Sequence, residues 1–171
     1  RKAAADEKKI QASAFTGSDL YAYDIDGRFY SIDTETFQRT KLSDGLYGKT
    51  ITYTSTDWTG APVETICTYF PVDMSYDDAT GTLYLLYFAV DEDGYKVYGG
   101  IAEVDTATGE VEDVMNSTEW VPGNLLVIDG MAFAVDCVVS GILCRVDLNS
   151  EDMLVEQQSL VQGYWGDVGN G

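Results

Sequence analysis

The chain has 171 residues, enough for one domain with a buried core, and 45% of them are apolar, which excludes a disordered chain. Ten basic against twenty-nine acidic residues give a net charge of −19, so phosphate backbones and anionic membrane surfaces are repelled and nucleic acid is excluded as a partner. Histidine is absent, which removes histidine-dependent triads, His-ligated zinc and the usual general base near neutral pH.

From residue 10 onward only six basic residues face twenty-seven acids. No apolar run approaches the roughly eighteen residues that a membrane-spanning helix needs, so membrane insertion is not expected. The chain opens on Arg1 rather than methionine and is expected to be a piece of a longer protein, so missing targeting signals carry no information.

Residues 1–14 begin "RKAAADEKKIQAS", with helical propensity and no aromatic residue before Phe15, and predict a short helix or a linker. Residues 15–171 read as one β domain, with strand-length runs broken by Gly, Asp, Asn and Thr. A two-part signature recurs along it. "YAYD" at 21–24 returns as "FAVD" at 88–91 and at 133–136, and each is followed by "SIDTET" at 31–36, "EVDTATG" at 103–109 or "RVDLNS" at 145–150.

Repeat units are therefore expected over about 15–42, 72–115 and 124–160, with an insertion over 43–71. In the first unit, Asp26-Gly27 predicts a two-residue hairpin turn, which sets Tyr23 opposite Tyr30 and Tyr21 opposite Ile32. The runs "KTITYTS" and "VETICTYF" flank "TDWTGAP" in the insertion and suggest a degenerate further blade. In the third unit, a turn at Ser140-Gly141 places Val135 opposite Val146, Cys137 opposite Cys144, and Asp136 opposite Arg145.

Repeated antiparallel units of about 40 residues, each with a strand ending in Asp, a hairpin and a "V-D-x-x-T-G" turn, resemble β-propeller repeats of the broad PQQ-like and YVTN-like type. The resemblance implies an all-β fold of antiparallel propeller-like blades; a β-sandwich is the alternative. It implies architecture and no cofactor site, because the tryptophan of PQQ-type blades is missing. Three units fall short of the roughly four to eight blades of a closed propeller. Remaining blades of a longer chain or a homo-oligomer are the expected partners in that case.

The acids Asp24, Asp26, Asp33, Glu35, Asp91, Asp93, Asp105, Asp136 and Asp147 recur in kind from unit to unit. A catalytic pair needs one unique acid beside another, so recurrence points to turn residues that bond nearby backbone amides. No catalytic residue and no metal site is assigned, since no segment matches a calcium loop. Cys137 and Cys144 are a candidate disulfide or a pair of buried thiols, and Cys67 receives no nucleophilic role.

Trp58 in "TDWTGAP", Trp120 in "STEWVPGN" and Trp165 in the Gly-rich tail are the candidate ligand-binding residues, because loop aromatics offer large area at low entropic cost. The expected function is a non-enzymatic binding or scaffold module of a secreted or cell-surface protein, with a protein or glycan ligand. A carboxylate-dependent enzyme acting on glycans and a purely structural assembly unit are the alternatives.

Overall fold

The computed structural model describes residues 8–118, 122–136 and 142–159, and among them there are thirteen strands and no helix. Sheet one contains β1 (Ile10–Phe15), β2 (Leu20–Asp24), β3 (Phe29–Ile32) and β4 (Arg39–Ser43). Sheet two contains β5 (Thr50–Thr56), β6 (Pro62–Asp77), β7 (Thr82–Val90), β8 (Lys96–Val104) and β9 (Val111–Ser117). Sheet three contains β10 (Leu126–Ile128), β11 (Met131–Val135), β12 (Ile142–Asp147) and β13 (Glu156–Ser159). Each sheet is an antiparallel meander in which neighbours in sequence are neighbours in space. The fold is all-β, built of propeller-like blades.

Sheet two lies between the other two, and its burial pattern follows from that place. Leu83, Leu85, Tyr87 and Ala89 of β7 pack with Tyr23, Phe29 and Ala12 of sheet one. Tyr84 and Leu86 of the same strand pack with Val127, Ala132, Ala134, Cys144 and Val146 of sheet three. Both faces of β7 are thus buried, which is why "TLYLLYFAV" reads as an unbroken apolar run rather than an alternating one. Each fully buried leucine or phenylalanine stabilises the stack by about 1.5–3 kcal/mol.

The helix or linker expected over residues 1–14 gives way to strand from Ile10. Ala12, 3% exposed, and Ala14 turn small side chains toward sheet two, and tertiary burial overrides their helical propensity. The 43–71 insertion is not a further blade. β5 pairs only with β6, and β6 runs on unbroken for 16 residues into the sheet, so both lengthen sheet two. A bulge between Pro71 and Asp73 accommodates the proline, which has no N–H to give to the ladder.

Two hairpin registers differ from those expected. In the first unit Tyr23 faces Phe29 and Ala22 faces Tyr30, one residue away from the predicted pairing. The Asp24 carboxylate accepts the N–H groups of Asp26 and Arg28, and Asp24 N–H donates to the Arg28 carbonyl, so the loop holds three residues with Gly27 at φ +88°. In the third unit Ala134 faces Cys144, Val135 faces Leu143, and Phe133 faces Arg145. The inward face of β12 is the expected one, but β11 turns Ala132 and Ala134 inward and Phe133 and Val135 outward. Ala132 and Ala134 are buried in one cluster with Tyr84, Leu86 and Ile101 of sheet two, which supply its bulk.

A side-chain ladder joins sheets two and three. Asp73, Ser75 and Asp77 alternate along β6 and accept backbone N–H groups from Leu125 (2.8 Å), Val127 (2.8 Å), and both Asp129 (3.1 Å) and Gly130 (2.8 Å). The three side chains act toward the β10 segment as a neighbouring strand's carbonyls would. Burial works to raise the Asp77 carboxyl, but the N–H groups of Gly130, Ala79 and Asp129 outweigh it and hold the group below the usual carboxylate range.

Candidate functional site

Pairing between β6 and β7 stops at Thr68 opposite Val90, while β6 continues to pair with β5 down to Pro62. Residues 62–67 and 51–56 therefore form a two-stranded ribbon beyond the sheet, about 20 Å long at roughly 3.3 Å per residue. Its tip is the turn Asp57–Ala61. The Asp57 carboxylate accepts the N–H of Thr59 at 2.7 Å, the N–H of Ala61 at 3.0 Å and the Thr59 hydroxyl at 2.6 Å. These bonds hold the Asp57 carboxyl below its ordinary range, the Thr59 hydroxyl contributing most.

Trp58 stands on this fixed turn with 96% of its surface exposed. Val63 and Ile66 are exposed behind it, and Thr52, Thr54 and Thr56 line one face of the ribbon. From Thr50 to Cys67 the only charged residues are Asp57 and Glu64, in a chain of net charge −19. A projecting element that is apolar and threonine-rich, and nearly free of charge, has the composition of a contact surface rather than a solvated one.

Most of the recurring acids stand at strand ends or in turns and bond the backbone ahead of them. Asp24, Asp57 and Asp91 share one geometry, each accepting N–H groups two and four residues ahead. Asp33 and Asp105 share a second, accepting N–H groups two and three residues ahead. Asp77 and Asp147 also accept the N–H two residues ahead. At the fifth position of the second turn stand Gly109 (φ +65°) and Gly81 (φ +72°), but in the first unit it is Phe37 (φ +56°) that takes this left-handed conformation.

Asp113 behaves differently. It lies on β9, opposite Ala102, and accepts the Tyr87 hydroxyl at 2.8 Å. Tyr87 reaches it by lying across Gly100, where a Cβ would fall 2.5 Å from the ring. Asp113 is solvent-exposed, yet partial desolvation raises its carboxyl, and the Tyr87 bond only partly offsets this. Tyr69, Tyr87, Tyr98 and Tyr53 form a chain of ring contacts beside it, at 4.9, 6.2 and 5.5 Å. Burial pushes the Tyr69 hydroxyl up to about 12. Among the described residues no group of three or more acids or cysteines is placed to hold a metal ion.

Of the residues singled out from sequence, the structure places Trp58 at the ribbon tip, while Trp120 and Trp165 lie outside the described residues. Cys144 is buried opposite Ala134 rather than opposite Cys137, which itself lies outside the described residues. Burial, then the Asp91 charge, push the Cys67 thiol up, away from the reactive thiolate. Sequence reasoning missed the β6 ladder and the Tyr87–Asp113 pair. The ladder had a signal, the polar alternation of Asp73, Ser75 and Asp77 inside a buried strand; the pair had none, since its partners are 26 residues apart.

No family model and no curated protein matches the chain. Among solved structures, an oligogalacturonate lyase from Vibrio parahaemolyticus is similar at 12% identity and TM-score 0.44, over 81% of this chain and 36% of that one. An extracellular domain assigned to a one-component system of B. thetaiotaomicron matches at 8% identity and TM-score 0.39, over 91% and 23% of the respective chains. A protein assigned as an oxidoreductase (glucose dehydrogenase) from Thermus thermophilus matches at 8% identity and TM-score 0.38, over 96% and 87%. The chain spans about a third of the length of the first and a quarter of the second. At these scores no ligand, reaction or residue role transfers.

Proposed function

We propose that the protein is a binding module of a secreted or cell-surface protein, and that the ribbon tip at Trp58 is its contact element for a protein or glycan ligand. The observation that carries this is the full exposure of Trp58 on a turn fixed by Asp57, at the end of a nearly uncharged ribbon. An indole on a fixed backbone turn has few side-chain torsions to lose on binding and offers an apolar face with an N–H at its edge. Of the recurring acids, Asp24, Asp33, Asp91, Asp105 and Asp147 are engaged with turn backbone, which agrees with this reading.

A glycan array, with wild type and Trp58→Ala compared, tests it. Binding that falls more than about tenfold in the variant, with unchanged thermal stability, is expected of a hot-spot aromatic. Binding indifferent to Trp58→Ala overturns it. A second reading, a carboxylate-dependent enzyme acting on glycans, is favoured by Asp113. It accepts the Tyr87 hydroxyl at 2.8 Å beside a cluster of tyrosines, and desolvation shifts its carboxyl upward, the direction a general acid requires. Turnover of chromogenic glycosides that disappears in Asp113→Asn would replace the binding-module reading.

A further inference from the structure

The repeated motif gives every sheet two unlike faces. Its alanine, Ala22, Ala89 or Ala134, is at most 2% exposed and points away from the following sheet. The aromatic one position earlier, Tyr21, Phe88 or Phe133, points the other way by strand alternation. Within the chain, the forward face of sheet one meets the backward face of sheet two, and the forward face of sheet two meets the backward face of sheet three. Both internal interfaces therefore join the same two kinds of face.

Among the described residues, one face of each kind is left over. The forward face of sheet three carries Leu126 (50% exposed), Ile128 (51%), Met131, Phe133, Val135 and Leu143. Apolar side chains gathered on one open face mark an interaction surface. The backward face of sheet one carries Leu20, Tyr30 and Ile32, with Arg39 and Lys41 beside them on β4.

Charge favours the meeting of these two faces. Residues 1–49 hold eight basic and eight acidic side chains, whereas residues 50–171 hold two basic and twenty-one acidic ones. Two copies otherwise repel each other, and sheet one is the part that another copy's acidic body tolerates. Around the forward face of sheet three stand Asp147 and Asp152, beside the Arg145–Glu156 pair, and these two acids suit Arg39 and Lys41.

We propose that the protein associates head to tail, the backward face of sheet one in one copy packing on the forward face of sheet three in another. Two copies bring six sheets together, within the roughly four to eight of closed propellers, so a pair closes on itself through two such contacts. This association is independent of the ribbon and of Trp58.

Sedimentation velocity and light scattering test it with two variants: Ile128→Glu at an exposed position on sheet three, and on sheet one the double variant Arg39→Glu, Lys41→Glu, at a half-buried and an exposed position. Wild type is expected at twice the 18.7 kDa chain mass. Added salt is expected to weaken the pair by screening. Each variant alone is expected at the mass of one chain, with circular dichroism unchanged. Mixing the two restores a 1:1 pair, because one native contact can form between an intact sheet-three face and an intact sheet-one face. Wild type at the mass of one chain, variants that still pair, or a mixture that fails to restore the pair would each overturn the proposal.

Discussion

Asp77→Asn is the sharpest probe of how sheets two and three are held together. Asp77 is 2% exposed, with one carboxylate oxygen accepting Ala79 and Asp129 N–H groups and the other accepting Gly130 N–H at 2.8 Å. An asparagine can serve one side, but its NH2 must then face a donor on the other. The Gly130 backbone is buried, so its orphaned N–H costs about 1–3 kcal/mol. Asp77→Ala loses all three bonds, and the two N–H groups nearer solvent recover part of theirs from water, giving a total of about 3 kcal/mol. Asparagine should cost about 2 kcal/mol. Urea unfolding at neutral pH measures both. Because the folded-state pKa lies below the unfolded value of about 3.9, the stabilisation is complete above that pH and is lost as pH falls through the folded value. The gap between wild type and either variant should therefore narrow on the acid side. An asparagine variant within about 0.5 kcal/mol of wild type at neutral pH would refute the ladder's role.

Phe37→Gly should stabilise the protein by about 0.5–1 kcal/mol, since an exposed phenylalanine at φ +56° carries a left-handed penalty that glycine relieves; thermal melting reads the shift. Gly100→Ala should destabilise by about 1–3 kcal/mol, because its methyl would stand 2.5 Å from the Tyr87 ring, and near-ultraviolet circular dichroism should report the displaced tyrosine. Gly109→Ala meets the Phe29 ring at 2.4 Å and adds left-handed strain, so its loss in chemical unfolding should exceed that of Gly100→Ala. Trp58→Ala should leave the melting temperature unchanged within about 0.5 kcal/mol of stability, as an exposed loop residue does.

The repeat was legible because turns demand particular chemistry: an aspartate that bonds backbone ahead of it, followed by a residue free to adopt positive φ. The same demand hid the loop length. Asp26-Gly27 looks like a two-residue turn until Asp24 is seen to bond the N–H of Arg28, which makes it three. Asp57 belongs to this set, but with no "A-x-D" signature before it the ribbon was not recognised as one more hairpin of that kind. The third hairpin misled for a different reason. Hydrophobicity alone turns Phe133 and Val135 inward, whereas Tyr84, Leu86 and Ile101 of sheet two already supply the bulk of that cluster and Ala132 and Ala134 complete it. In sheet two, tertiary pairing decided the role of the insertion, because nothing local distinguishes a new blade from a strand that runs 16 residues without a break.

That long strand has a mechanical consequence. β6 meets β1 of sheet one through one face, holds β10 through Asp73, Ser75 and Asp77 on the other, and carries Trp58 at the far end of its ribbon. It is a cantilevered beam clamped at its root. A pull on the tip would be borne in shear by the hydrogen bonds linking β6 to β7, which rupture together rather than one by one. The stack would then resist load up to the strength of that seam, and the bulge at Pro71 is where the beam would first bend.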